Sequence, residues 1–248
     1  MDAPDKTTAA FLVRLVDYGE SDRIVTLFTR DYGKISALAR GARKSRRRFG
    51  GALEPFCLLE VTLASHARGL WRLGETTLVA AYPGLASSLA RLGAAARILE
   101  LAREVVPEHE PDPAMFELLE QALPALSRAD EPHVAATAAA ASLRVLALAG
   151  FELRFTDCSV CGAPVPKGAR VRFDPWRGGV VCTPCGGGPI GLAAAAVRGL
   201  LALLALPLSR VSEAGVDAPR VAQIEEAIDA FVRHHLGKPL RSSRFRAS

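Results

Sequence analysis

Residues 11–80 fall into short runs in which apolar and polar positions alternate, separated by clusters of turn formers. The runs at 11–16, 24–29, 34–40, 56–64 and 70–80 predict five β-strands. Tyr18-Gly19-Glu20-Ser21-Asp22 and Arg30-Asp31-Tyr32-Gly33 supply the first two turns. Five short strands in about 80 residues predict a small closed barrel, because closure removes the exposed sheet edges. The oligonucleotide-binding (OB) barrel has this number of strands and is the reading adopted; a five-stranded barrel of another family is the alternative.

After Tyr82-Pro83-Gly84 the apolar period lengthens to about 3.6. Leu85, Leu89, Leu92, Ala96, Leu99, Ala102 and Val106 form one stripe that ends at Pro107. A second helix is expected from an Asp112 cap and Pro113, with Pro124 bending or ending it. A third runs from Glu131-Pro132 to Ala149, with Gly150 closing it. Another is expected to open at Pro189-Ile190-Gly191 and close at Pro207, and the last spans 217–237. The fold class is therefore α+β: an N-terminal OB barrel over residues 1–82, then an all-helical domain over 83–248.

Charge sharpens this picture because it is unevenly placed. The net charge is only +5, yet no acid occurs between Tyr32 and Leu53, where Lys34, Arg40, Arg43, Lys44, Arg46, Arg47 and Arg48 crowd together. Residues 98–132 hold nine acids against two bases, and a second basic cluster, Arg233, Lys238, Arg241, Arg244 and Arg246, follows Asp229. Seven like charges on the edge of a barrel repel one another unless an anion binds, and a polyphosphate does this best because each neutralised phosphate releases a counterion. A solvated loop that aids solubility is the alternative. Tyr32, Phe49 and Trp71 are the aromatics that could stack on bases, and each could instead fill the barrel core, the preferred reading for Trp71.

Four of the five cysteines form Cys158-x2-Cys161 and Cys182-x2-Cys185, twenty residues apart, inside an insertion at about 155–188. Two residues between thiols let both reach one ion at about 2.3 Å, and two such knuckles complete a tetrahedron. Structural Zn2+ is expected; a pair of disulfides is the rival, disfavoured in a reducing compartment. Gly162 and Gly186 follow the knuckles where the chain must reverse sharply. Cys57, alone on a strand, reads as a small buried apolar side chain.

Chemistry of other kinds leaves no trace. The chain has no phosphate-cradling G-x-x-x-x-G-K, no G-x-S-x-G and no H-E-x-x-H. His66, His109 and His133 are isolated, and His234 and His235 suit the negative end of a helix. The first ten residues lack the apolar core of a secretory signal, so a cytoplasmic protein is expected, nucleoid-associated when bound to DNA. The apolar runs 134–149 and 190–206 are shorter than a membrane span and each contains an arginine. No catalytic residue is assigned, and a binding protein is expected.

One resemblance covers nearly the whole chain. Residues 19–29 (GESDRIVTLFT), Tyr32-Gly33-Lys34-Ile35, Ala39-Arg40-Gly41-Ala42-Arg43, Leu53-Glu54-Pro55-Phe56 and the ending His235-Leu236-Gly237-Lys238-Pro239-Leu240-Arg241-Ser242 resemble the bacterial DNA repair protein RecO family. The resemblance implies a recombination mediator that binds single- and double-stranded DNA and anneals complementary strands. It also implies work with RecR to load RecA onto DNA coated by single-stranded DNA-binding protein (SSB). It implies that the helical domain receives the acidic, apolar C-terminal tail of SSB, for which Arg233, Lys238, Arg241 and Arg244 are the candidate contacts. Some members lack the cysteines, so zinc is not essential to the family's activity. The alternative is a protein-interaction adaptor that binds acidic tails, with DNA incidental.

Overall fold

The structure, a computed structural model, describes residues 5–44, 49, 53–64, 70–166 and 168–245. Strands β1 (Lys6–Tyr18), β2 (Asp22–Thr29), β3 (Gly33–Ala39), β4 (Leu58–Ala64) and β5 (Trp71–Ala80) close into a barrel in the order β1-β2-β3-β5-β4. All neighbours are antiparallel except β3 and β5, which meet in parallel at Ala37 with Trp71 and Leu38 with Arg72. This is the OB topology. β1 is longer than the six residues expected because it serves two partners. Lys6 to Phe11 pair with β4, Ala10 to Tyr18 pair with β2, and a register shift between Leu12 and Arg14 bends the strand from one to the other.

Alternation along the strands divides the apolar residues between two cores. Ala10, Leu12, Leu27, Ile35, Leu59, Val61 and Leu73 point into the barrel, where Phe49 joins them at 2% exposure. Their outward neighbours Phe11 and Phe28 are also fully buried, which requires a second layer outside the barrel. That layer is helical: α1 (Leu89–Val105), α2 (Pro113–Arg128), α3 (Val134–Leu148), α4 (Ala194–Ala205) and α5 (Ala218–Leu236). Phe116 of α2 packs 5.2 Å from Phe11 and 6.2 Å from Phe28 between ring centroids. Arg30 lies 4.7 Å from the Phe116 centroid and bonds Glu120 at 2.7 Å, covering the polar side of the same contact. The joint is tight: Gly33 adopts φ +64, and a Cβ there would stand 2.0 Å from the Glu110 carbonyl oxygen.

Alanine-rich α3 lies at the centre of the helices, with eleven of its fifteen residues buried. Small side chains let α1, α2, α4 and α5 approach it closely. A buried ion pair ties three of them: Arg97 of α1 meets Asp229 of α5 at 2.6 Å, with Ser142 of α3 at 3.4 Å from its Nε.

Several helix ends fall where expected. Asp112 accepts from the Met115 N–H at 2.9 Å, Asp217 caps α5, and Gly150 and Gly237 close α3 and α5 with positive φ. Two expectations need correction, and of the two readings of Pro124 one is excluded. α1 begins at Leu89 under a Ser88 cap, because residues 83–87 form a separate 3-10 turn that places Leu85 in the core. Pro124 does not end α2, which continues to Arg128 because Leu123 and Leu126 stay buried against the other helices. The helix expected from residue 189 starts only at Ala194. Ile190–Leu192 is instead strand β8, paired with β6 (Val171–Asp174), which also pairs β7 (Gly179–Val180).

Candidate nucleic-acid interface and candidate metal centre

The β1–β2 hairpin tip and the segment after β3 meet through backbone bonds. The Arg43 N–H donates to the Ser21 carbonyl at 3.0 Å, and Arg43 Nη1 donates to the Glu20 carbonyl at 3.3 Å. The Gly41 N–H donates to Asp22 Oδ1 at 2.8 Å. That bond, then those from Ser21 and the charge of Arg40, hold the Asp22 carboxyl below its ordinary value. Asp22 therefore fixes the first turn of the basic loop, a role that its reading as a turn former did not reveal. Arg40 and Lys44 are exposed beside it.

Lys34 is placed differently. Its Nζ donates to the Arg103 carbonyl at 2.7 Å near the end of α1, and its own carbonyl accepts from the His109 N–H at 2.9 Å. Burial lowers its pKa, opposed by Glu108 and Glu104. The side chain belongs to the joint between barrel and helices, and the structure does not bring it together with Arg40, Arg43 and Lys44. Arg46, Arg47 and Arg48 lie outside the described residues.

The chain after α5 is fastened to α1. The N–H groups of Arg241 and Ser242 donate to Glu100 at 2.9 and 2.8 Å, Lys238 pairs with Glu104 at 2.8 Å, and Leu240 is buried. Burial raises the Glu104 pKa, but the bonds from Lys238 and Arg103 outweigh it and hold the carboxyl below the usual range. Arg233 is exposed on α5. Arg241 also lines a groove of about 400 Å³ between β1, α1 and this last segment. Val13, Leu15, Phe56 and Leu99 form its apolar wall, and Arg14, Arg103 and the acid Glu100 join Arg241 on it. Sequence reading missed this groove because Arg14 and Phe56 come from barrel segments far from Arg241 in the chain. The Arg244 side chain lies outside the described residues.

The four cysteines converge. Their sulfurs all lie within 4.8 Å of one another, and no disulfide links them. A tetrahedron with Zn–S bonds of about 2.3 Å has edges of about 3.8 Å, and Cys161 and Cys182 are separated by 3.8 Å. Gly162 at φ +71 and Gly186 at φ +100 make the reversals after each knuckle. N–H groups of Cys182, Cys161 and Val160 pull the Cys158 thiol down to about 6, while the side chains of Cys182 and Cys161 push Cys185 up to about 12. One sulfur is thus ready as thiolate, and the cluster can hold a metal ion. β6, β7 and β8 carry this centre between α3 and α4, braced by Phe155 stacked on Phe173 at 5.5 Å. Among the described residues this is the one such group of donors, and no helix there is long and apolar enough to cross a membrane.

Comparison with known proteins agrees with this architecture along its length. A family model described as recombination protein O N terminal matches residues 1–82, and one described as recombination protein O C terminal matches residues 86–244. The DNA repair protein RecO of Anaeromyxobacter dehalogenans (strain 2CP-C) is 43% identical over 238 residues, 94% of this chain and 92% of that protein. The protein of the same name from Myxococcus xanthus (strain DK1622) is 41% identical over 243 residues, covering 96% and 95%. That from Geobacter sulfurreducens is 36% identical over 244 residues, covering 95% of each. With both halves matched and identity sustained across nearly all of the chain, it belongs to the RecO family of DNA repair proteins.

Proposed function

We propose that the chain is a non-catalytic recombination mediator: residues 1–82 bind single- and double-stranded DNA and promote annealing, and residues 83–248 form the helical unit that meets protein partners. The observation that carries this reading is the basic loop. Arg40, Arg43 and Lys44 stand on a turn anchored by Asp22 and lead in sequence into Arg46, Arg47 and Arg48. The usual OB binding face, strands 2 and 3, is partly covered here by α2 and by the loop at 108–110, which favours the hairpin tip as the phosphate contact. A surface that neutralises phosphates without gripping base edges leaves those edges free to pair, and annealing follows from that. Measuring strand annealing and DNA affinity across a salt series tests the proposal; affinity independent of salt would overturn it.

The remaining partners are proposed from what the family resemblance implies: RecR, and with it RecA loading onto SSB-coated DNA, in the cytoplasm. The metal is assigned as zinc with a structural role, since four protein thiolates leave no position for water or substrate. The second reading, an adaptor for acidic tails, is favoured by one feature. The groove under β1 combines an apolar wall with Arg14, Arg103 and Arg241 against one acid, Glu100, whose oxygens take up the Arg241 and Ser242 N–H groups, and that excess of positive charge suits an acidic, apolar tail such as that of SSB. Competition between a tail peptide and DNA separates the two: substitutions in the basic loop should abolish DNA binding and spare peptide binding if the loop is the DNA site, whereas DNA binding that survives those substitutions and is displaced by the peptide would leave the adaptor reading alone standing.

A further inference from the structure

One end of the barrel carries an aromatic pair that the phosphate-binding loop does not use. Tyr32 lies in the β2–β3 turn and Trp71 opens β5, with ring centroids 5.4 Å apart at 39°. Lys6, the first residue of β1, holds its ammonium 4.9 Å from the Tyr32 centroid and 5.5 Å from that of Trp71. Both rings pack against the barrel core yet stay partly exposed, whereas Phe11 and Phe28 are sealed at 0% and 1%. The turn beneath Tyr32 is rigidly built. Thr29 Oγ1 accepts from the Tyr32 N–H at 3.0 Å and donates to the Gly33 carbonyl at 2.8 Å, and Asp31 accepts from Thr8 Oγ1 at 2.6 Å. Among the described residues an exposed lysine with no ion pair there lies over the rings, on a flexible stem and held by a weak cation–π attraction.

We propose that Tyr32 and Trp71 form a stacking platform for an unpaired base of single-stranded DNA, with Lys6 moving from the ring faces to the neighbouring phosphate as the base arrives. The inference rests on the reading of the barrel as a DNA-binding unit. A base in a duplex is already stacked on its neighbours and cannot use the platform, so the site selects single strands. Stacking engages the face of a base and leaves its pairing edge open, which suits a protein that anneals strands. Asp5 and Asp31 flank the site in sequence, so ring faces and not surplus positive charge supply the contact.

Trp71 is itself the reporter. The chain has two tryptophans, and the other, Trp176, is 65% exposed in the cysteine insertion. In the full-length Trp176→Phe protein, titration with a single-stranded thymidine oligomer should quench Trp71 emission with the midpoint given by anisotropy of a labelled oligomer, and a duplex should leave it unchanged. Tyr32→Leu, which keeps apolar bulk, should weaken single-strand affinity by on the order of tenfold without changing duplex affinity or the salt slope. Trp71→Phe should retain most of the affinity that Trp71→Leu loses. Emission that stays flat while anisotropy saturates overturns the platform and leaves the DNA reading standing, as does equal weakening toward single strand and duplex. Failure to bind either DNA overturns both.

Discussion

Lys34 and Arg43 stand nine positions apart in one basic run, and the structure gives them different surroundings. Removing Lys34 deletes a charged hydrogen bond at the joint, so Lys34→Ala should lower the unfolding free energy in urea by about 1 to 2 kcal/mol and leave the salt dependence of DNA binding unchanged. Arg43→Ala should do the reverse, keeping stability and reducing the magnitude of the single-strand salt slope by about 0.7. Glu104 gives a prediction in pH. Its carboxyl is held below the ordinary value of 4.5, so the stability it contributes is fully present above that value and is lost as pH falls through the lowered one. The difference in melting temperature between the native protein and Glu104→Gln should accordingly be constant near neutrality and vanish in acid, and Lys238→Ala should diminish it.

At the scale of elements, the cysteine insertion makes the clearest prediction. β7 has two residues and β8 three, too few to persist without a brace. Chelation, or Cys158→Ser, should lower the melting temperature by at least about 5 °C while the barrel still binds DNA. Metal affinity should rise with pH across the neutral range, because Cys185, pushed up to about 12, must lose its proton to bind. The same insertion marks how far sequence reading reached. The knuckles and their glycines were legible because ligand spacing is local, and so were the Asp112 and Asp217 caps, whose partners lie three residues away. Ile190–Leu192 was not, because an apolar tripeptide becomes a strand only through Val171–Phe173, about twenty residues earlier. The bond from Lys34 to α1 was not legible for the same reason, its acceptor Arg103 being remote in the chain. The 3-10 turn at 83–87 and the continuation of α2 past Pro124 likewise depend on packing that no local pattern encodes.

Across the whole molecule, charge and burial set what binds where. With Lys34 committed to the joint, six cations remain in the loop: Arg40, Arg43, Lys44, Arg46, Arg47 and Arg48. If each neutralises one phosphate, log affinity against log salt for a single strand should have a slope of about −4. A slope of about −1 would mean that the loop is not the principal contact. The acid-rich stretch 98–132 lies on the helical side, with Glu104 and Glu108 near the joint, so on the proposed reading DNA should be repelled from the helices and held at the barrel tip. The Phe11–Phe28–Phe116 contact carries a practical corollary for anyone dissecting the protein. A fragment cut at residue 82 would bare two greasy rings on its flank and be prone to stick to copies of itself, so its behaviour would report the knife and not the barrel. Division of labour between the two halves is better read from single substitutions in the uncut polypeptide.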